Sequence, residues 1–597
     1  MRHHKTNELE SLKPDTLYAF AMFFFRMVVN VFFRELHPRG TSHIPQHGPV
    51  IFVAAPHGNQ SVDMVLALEV WSKVRRKVQF LVAAESMKVG LLGLCTRVLS
   101  SIPVVRAAEE AKPGTGYITL SEDNPCIVIG HGTEFTKEFR PRMQIMLPNP
   151  VGAPLAEVFE VVSDTELKLK AEFAGHDGKS TLKIHQNLEE LRSQGLPGLE
   201  FKIAPYIDQN GLYQHVHQLL AEGGCISIFP EGKSHDRTDL LPLRAGVSAM
   251  ALGAVANNPG LKLKIVPVGL FFFHPHLFRS RGVVEFGPAF DVPEDLVSLY
   301  RLGGAQKRQA IGLFLSRIHE ALKPVTVSAP DRGTLTMCQA ARRLYELPGR
   351  PRSLGQIVEL NRRLLEGYSH FKDEPQVKGL RNDLLRYNYT ARKLGLRDHQ
   401  IRRAKRVRWK TIALLVYRLG LLIFWSMLAL PGVVLNSPIL VAASLISRKR
   451  AKEALIGSTV KIAAKDVIAT WKILVSLMVG PIVYGLYALL VTLIVFGRGF
   501  SLMWLLYGPI IVLLALSLLT YAALKSGEAS VDIVKSLSPL IVTLVPGKSR
   551  SLDSLKALRM QLVERLEDVV NDFGPKINEN FNECRSMRAG ALQASRP

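Results

Sequence analysis

CISIFPEGKSHDRTDLLPLRAG (225–246) holds a complete structural unit in one line of sequence. A short apolar run of buried-strand type ends at Phe229, and Pro230, Glu231 and Gly232 turn the chain. Lys233, Ser234, His235, Asp236, Arg237 and Thr238 then follow without a break, and Arg244 and Gly246 lead into a helix predicted over 243–256. Pro, Gly and Ser suffice for a turn. They do not account for such a crowd of ionisable groups. The reading is a strand that delivers polar chemistry at its carboxyl end and returns through a helix, the repeating unit of an open α/β sheet.

Runs of the same kind surround it. VIFVAA (50–55), VQFLVAA (78–84), IPVV (102–105), CIVIG (126–130) and KIVPVGL (264–270) read as further buried strands, with helices such as 61–76 between them. Pro267 inside the last run predicts a bulge or a strand end. Residues 131–205 break the rhythm, with alternating runs VFEVV and LKLKAEF and a polar helical piece at 181–194. The expected fold is therefore α/β: a mixed, largely parallel sheet with flanking helices over 37–325, carrying a β-rich insertion at about 131–205. An N-terminal membrane-associated helix is expected within 1–36. There LYAFAMFFFRMVVNVFF (17–33) is short for a bilayer span of about 20 residues and carries Arg26 and Asn30 on one face. The preferred reading is a helix lying in the interface.

The rest of the chain changes character. The 597 residues are 47% hydrophobic and 21% charged, with net charge +24. High apolar content and high charge coexist when the two are segregated along the sequence. Residues 326–410 read as a basic helical linker ending in IRRAKRVRWK (401–410). Residues 411–523 read as transmembrane hairpins, the first one turning near Pro431, Gly432, Asn436 and Pro438 and the second at Gly497-Arg498-Gly499. Basic flanks put the α/β region and the tail on the cytosolic side, with Arg498 as a lone exception. In 524–597, Leu552, Leu555, Leu558, Leu562, Leu566 and Val569 form the stripe of an amphipathic helix that docks on the protein itself, and a disordered tail follows. Cys95, Cys126, Cys225, Cys338 and Cys584 lack metal-ligand spacing and read as reduced thiols. MRHHKTNELESLKPD at the start lacks the apolar core of a secretion signal.

The chemistry concentrates at strand ends. In APHGNQSVD (55–63), His57 follows a strand and a proline, and Asp63 lies near the next helix start. Such a pair can act as general base and orienting carboxylate, though a structural His and a helix cap give the same pattern. SIPVVRA (101–107) brings Arg106 to the end of a strand, where a guanidinium can hold a phosphate.

In this order His57/Asp63, Arg106, FPEG (229–232) and IVPVG (265–269) resemble the four motifs of the glycerophospholipid acyltransferase family. PHGNQSVD, GTEFTKE (132–138), FPEGKSHDRTDLLPLRAGVSAMALG (229–253) and FFHPHLFRSRGVVEFG (272–287) are similar to the fungal-type glycerol-3-phosphate/dihydroxyacetone-phosphate acyltransferase branch. The resemblance implies transfer of a fatty acyl group from acyl-CoA, a substrate and not a cofactor, to the sn-1 hydroxyl of glycerol 3-phosphate or dihydroxyacetone phosphate. It implies an integral membrane enzyme of the endoplasmic reticulum, in contact with lipid and without a resident cofactor or metal. By motif, His57 is the base and Asp63 its partner. Arg106 binds phosphate, and Glu231 and Gly232 help hold the acceptor, with Lys233, Ser234 and Arg237 nearby. Two features depart from the general family: five residues rather than four separate His57 from Asp63, and PEGKSH stands where many members read PEGTRS. Shared motifs leave open an sn-2 acyltransferase acting on lysophosphatidate. A non-catalytic acyl-lipid-binding scaffold is the reading from another class. A nucleic-acid binder would explain the charge but neither the apolar segments nor FPEG. Oligomeric state is not legible.

Overall fold

The computed structural model describes residues 14–58, 64–88, 90–121, 123–147, 155–173, 179–274, 277–345, 353–403, 408–456, 458, 460–497 and 502–576. The chain forms two compact units. One comprises Met1–Arg237, Leu241–Val325 and Ser447–Leu474; the other comprises Thr238–Leu240, Thr326–Ile446 and Val475–Pro597.

The first unit is built on an eight-stranded sheet in the order Phe33–Arg39, Ser280–Phe286, Lys264–Phe272, Val50–Ala55, Cys225–Ile228, Val78–Ala83, Ile102–Val104, with Phe290–Asp291 added beside Lys264–Phe272. All neighbours are parallel except Lys264–Phe272 with its two C-terminal partners. The largely parallel sheet expected from the apolar runs is there. Val50–Ala55 is buried at every position, as a central strand covered on both faces must be. Phe33–Arg39 at the edge is mostly half-exposed and charged, which suits an edge. It follows directly on the N-terminal helix Pro14–Phe32, which covers all but the last residue of the stretch 17–33 read as a helix.

Pro267 does not end its strand. Its carbonyl accepts from Gly287 N–H at 2.8 Å, so its donor-less nitrogen faces the stretch where the antiparallel partner is interrupted between Phe286 and Phe290. The irregularity falls in the partner.

The β-rich region is larger than 131–205. Seven antiparallel strands lie in the order Lys112–Pro113, Lys202–Ala204, Gln144–Met146, Leu155–Ser163, Glu166–Leu169, Ile127–His131, Tyr117–Leu120. The run CIVIG, expected in the parallel sheet, belongs here. Its strand alternates buried Val128 with exposed Ile129, the pattern of a sheet covered on one face only. A separate core of Phe135, Ile145, Leu167, Phe173 and Phe201 fills this sheet's inner face.

The helix Pro14–Phe32 packs Tyr18, Met22, Val29 and Phe32 into the core of the parallel sheet. Arg26, anomalous in an apolar helix, donates to buried Glu69 at 2.7 Å. Phe20, Phe23, Met27 and Val31 on the other side are exposed.

In the second unit, 326–410 is more than a linker. Helices Arg332–Tyr345, Leu354–Phe371 and Pro375–Lys393 pack with the C-terminal helix Pro546–Phe573 around Met337, Leu380, Leu384, Leu555 and Leu562. The stripe Leu552, Leu555, Leu562 and Leu566 is buried in this bundle, so the helix docks on its own protein.

Among the described residues, three helices are long and apolar enough to cross a membrane: Trp409–Ile456, Lys465–Val495 and Leu506–Leu544. The expected first hairpin is instead one continuous helix with Pro431 and Pro438 inside it. Pro438 deprives the Val434 carbonyl of its helical donor, and the Ser437 hydroxyl donates to that carbonyl at 2.7 Å. Proline is tolerated in apolar helices when a neighbouring hydroxyl restores the lost bond in this way. Asn436 faces a partner rather than a turn: its amide donates to Thr520 Oγ1 at 2.9 Å, and Tyr484 donates to its oxygen at 2.8 Å. Polar side chains of this kind join apolar helices.

Candidate active site

Three strands set the geometry. Cys225–Ile228 lies between Val50–Ala55 and Val78–Ala83, parallel to both, and Ile102–Val104 follows Val78–Ala83 in the same direction. His57, the turn 229–233 and Arg106 therefore leave the sheet at one edge, beyond its carboxyl ends, where open α/β sheets bind ligands.

His57 is held by its backbone. Its N–H donates to Glu231 Oε2 at 2.7 Å, and its carbonyl accepts from His235 N–H at 3.0 Å. Its ring stacks on Phe229, with centroids 4.4 Å apart and planes at 28°. Glu231 is buried, and its other oxygen accepts from Leu241 N–H at 3.1 Å. The ring of His235, equally buried, lies with Nε2 3.0 Å from Glu231 Oε2. Because His235 Nδ1 accepts from Arg237 N–H at 3.2 Å, the hydrogen-bond network assigns the ring proton to Nε2, which donates to the carboxylate. Glu231, expected at the acceptor, is thus engaged on both oxygens in tying the His57 loop to the turn.

Gly232 has φ +72°, a left-handed conformation that glycine adopts without strain, and a Cβ there would lie 3.4 Å from Arg244 Cγ. Arg244 is anchored by its N–H, which donates to Pro230 O at 2.7 Å. Lys233 is pulled below the ordinary lysine value of 10.5 by desolvation and then by the like charges of Arg244 and Arg106. Arg244 and Arg106 are close enough to depress Lys233, a cluster of like charges that a bound anion would relieve. Arg106 leaves a strand end fixed by Gln209, whose amide donates to Val105 O at 2.9 Å, and its guanidinium lies 3.3 Å from Glu109.

Ser234 and Arg237 face the segment between the first two long helices. Lys461 Nζ donates to the Ser234 carbonyl and hydroxyl, and Arg237 Nε donates to Val460 O at 2.8 Å. Asp63 lies outside the described residues. Of the expected set, His57, Arg106, Glu231, Gly232, Lys233 and Ser234 share one strand-end region. Arg244 and His235 stood in the quoted stretch but without a motif to mark their roles, and Lys461 had no signal at all. Among the described residues no three His, Cys, Asp or Glu side chains gather in a way that could hold a metal ion.

Comparison with known proteins matches this architecture part by part. Residues 207–270, which carry the 229–246 turn, match the acyltransferase family model. Residues 337–578 match the model described as glycerol-3-phosphate acyltransferase 2 C-terminal domain. The chain is 39% identical to glycerol-3-phosphate O-acyltransferase 1 of Saccharomyces cerevisiae, over 95% of this chain and 73% of that protein. The chain belongs to the glycerol-3-phosphate O-acyltransferase family. It is 35% identical to the second such yeast enzyme, over 95% of this chain and 78% of that one. An uncharacterized acyltransferase of Schizosaccharomyces pombe is 40% identical over 95% of this chain and 83% of its own length. The protein is thus an acyltransferase, and the C-terminal family match includes the 460–466 segment that meets the site.

Proposed function

We propose that the protein transfers a fatty acyl group from acyl-CoA to the sn-1 hydroxyl of glycerol 3-phosphate, with dihydroxyacetone phosphate as a second acceptor, giving lysophosphatidate in the first case. The observation that carries this reading is His57 fixed at a strand end beside the convergent cations Arg106, Lys233 and Arg244. An anionic acceptor bound by the cations would bring its hydroxyl to the imidazole. The names of the yeast relatives supply the acceptor class.

In this mechanism the His57 imidazole takes the acceptor hydroxyl proton as the oxygen attacks the thioester carbonyl carbon. Collapse of the tetrahedral intermediate breaks the C–S bond, and the leaving thiolate takes the proton back from the imidazolium. Asp63 is assigned to orient the ring and stabilise its charge. The reaction needs no resident cofactor. Lysophosphatidate is amphiphilic, which suits a catalytic unit at the cytosolic face of the endoplasmic reticulum membrane, with the exposed Phe20, Phe23 and Met27 face of the N-terminal helix against lipid.

Detergent-purified full-length protein and radiolabelled palmitoyl-CoA test the proposal, with glycerol 3-phosphate, dihydroxyacetone phosphate and lysophosphatidate offered separately to wild type and His57→Ala. Glycerol 3-phosphate acylation that disappears in the variant is the expected result. Acylation of lysophosphatidate alone would make the enzyme an sn-2 acyltransferase.

A further inference from the structure

A segment more than 220 residues downstream of the FPEG turn folds onto it within the same unit. Lys461 Nζ donates to the Ser234 carbonyl at 2.9 Å and to its hydroxyl oxygen at 3.0 Å, and is paired with Asp466. Both side chains of the pair are buried, at 9% and 2% exposure. Asp236 receives the backbone N–H groups of Ile462 and Ala463 at 2.7 and 2.9 Å, and Arg237 holds the Val460 carbonyl. Three of the four turn residues 234–237, Ser234, Asp236 and Arg237, are thus clasped by 460–466, which joins two helices long enough to cross a membrane.

The chemistry of the clasp is specific. An ammonium has three hydrogens to donate, and Lys461 has three acceptors around it in Ser234 O, Ser234 Oγ and Asp466. It is therefore occupied and is not itself the group that meets substrate. A serine hydroxyl that accepts from an ammonium keeps its own proton to donate. Ser234 lies between Lys233, one of the three convergent cations, and His235, whose N–H holds the His57 carbonyl.

We infer that Lys461 is a positioning residue of the acceptor site: it fixes and polarises Ser234 so that the Ser234 hydroxyl donates to the anionic group of the acceptor beside Lys233. The loop between two apolar helices thereby completes the strand-end site. The inference rests on the phosphate-bearing acceptor proposed above, and it adds that the C-terminal half of the chain sets acceptor affinity.

Removing Lys461 alone would strand Asp466 as a buried unpaired charge, and one-sided removal is the damaging change. The test therefore uses the full chain with Lys461→Met/Asp466→Asn, Ser234→Ala and the three changes combined. KM is measured for glycerol 3-phosphate and for palmitoyl-CoA, and thermal midpoint for each variant. The acceptor KM is expected to rise about tenfold in Lys461→Met/Asp466→Asn with the palmitoyl-CoA KM within about twofold of wild type. Adding Ser234→Ala should bring no further rise, because both changes remove one interaction. A wild-type acceptor KM, an equal rise for both substrates that follows the thermal midpoint, or multiplicative effects in the combined variant would each overturn the inference. A wild type that acylates only lysophosphatidate would end the functional reading while leaving this test intact, with that acceptor in place of glycerol 3-phosphate.

Discussion

Two polar networks in this chain, one around a fully buried carboxylate and one around a carboxylate about one-tenth exposed, are built alike and hold different things. In the catalytic unit, Glu231 gathers His57 N–H, Leu241 N–H and the His235 ring. In the helical unit, Asp398 gathers the Tyr387 hydroxyl at 2.7 Å and two guanidinium donors of Arg559 at 2.8 and 3.1 Å. Each is a carboxylate surrounded by donors, as burial demands. The Asp398 donors are side chains on different helices, so the network pins packing. The Glu231 donors include two backbone N–H groups from loops at strand ends, so the network pins the loop that carries His57, the base proposed above. A buried carboxylate is therefore functional or architectural according to what it holds still.

Four experiments break or sharpen that contrast. His57→Ala should lower acyl transfer by about 10²–10⁴-fold, the range of general-base catalysis, with the thermal midpoint unchanged. Loss of activity together with loss of folding would return His57 to a structural role. Glu231→Ala removes the acceptor of the half-buried His57 and Leu241 N–H groups and of the buried His235 ring, and should destabilise the protein by about 3–5 kcal/mol, with kcat per folded molecule falling as well. Denaturation in detergent beside single-turnover kinetics separates the two. Arg559→Ala should cost about 2–3 kcal/mol, since the pair is about one-tenth exposed, while kcat and both KM values stay at wild type. An Arg559→Ala enzyme with altered KM would erase the distinction between the networks.

The smallest effect is in pH. Lys233 is depressed below 10.5 in the free enzyme by desolvation, Arg244 and Arg106. Bound phosphate favours the protonated ammonium, so acceptor binding takes up a proton between the free-enzyme value and the higher bound-state value. The acceptor KM should accordingly rise with pH as the assay passes above the depressed lysine value. Lys233→Arg, which stays charged, should flatten that rise. The stability sign is opposite. Over the window between the depressed value and 10.5, the unfolded chain holds more protons at Lys233, so this residue's contribution to stability improves as pH rises.

The parallel sheet was legible in advance because VIFVAA and CISIF are short apolar runs ended by Pro and Gly, which a central strand requires and little else produces. His57, Arg106 and the FPEG turn were legible for the related reason that strand ends are where such a sheet offers chemistry. CIVIG was misplaced because burial on one face or on two cannot be told from five residues, of which Gly130 has no side chain. The first hairpin was misread because Pro438 argues for a turn until a specific hydroxyl, Ser437, restores the bond that proline removes.

Residue types, their periodicity and their order along the chain determined that this protein has an α/β catalytic region, apolar helices and a strand-end cluster of His, Arg and Glu. Tertiary structure alone decided that Glu231 holds His57 by its backbone, that Arg244 joins Arg106 and Lys233, and that Lys461 reaches Ser234. The physical reason is range. Hydrophobic period and turn chemistry act over a few residues and leave their mark in the local sequence, whereas a hydrogen bond between residues 227 apart exists only once the chain has closed the loop between them.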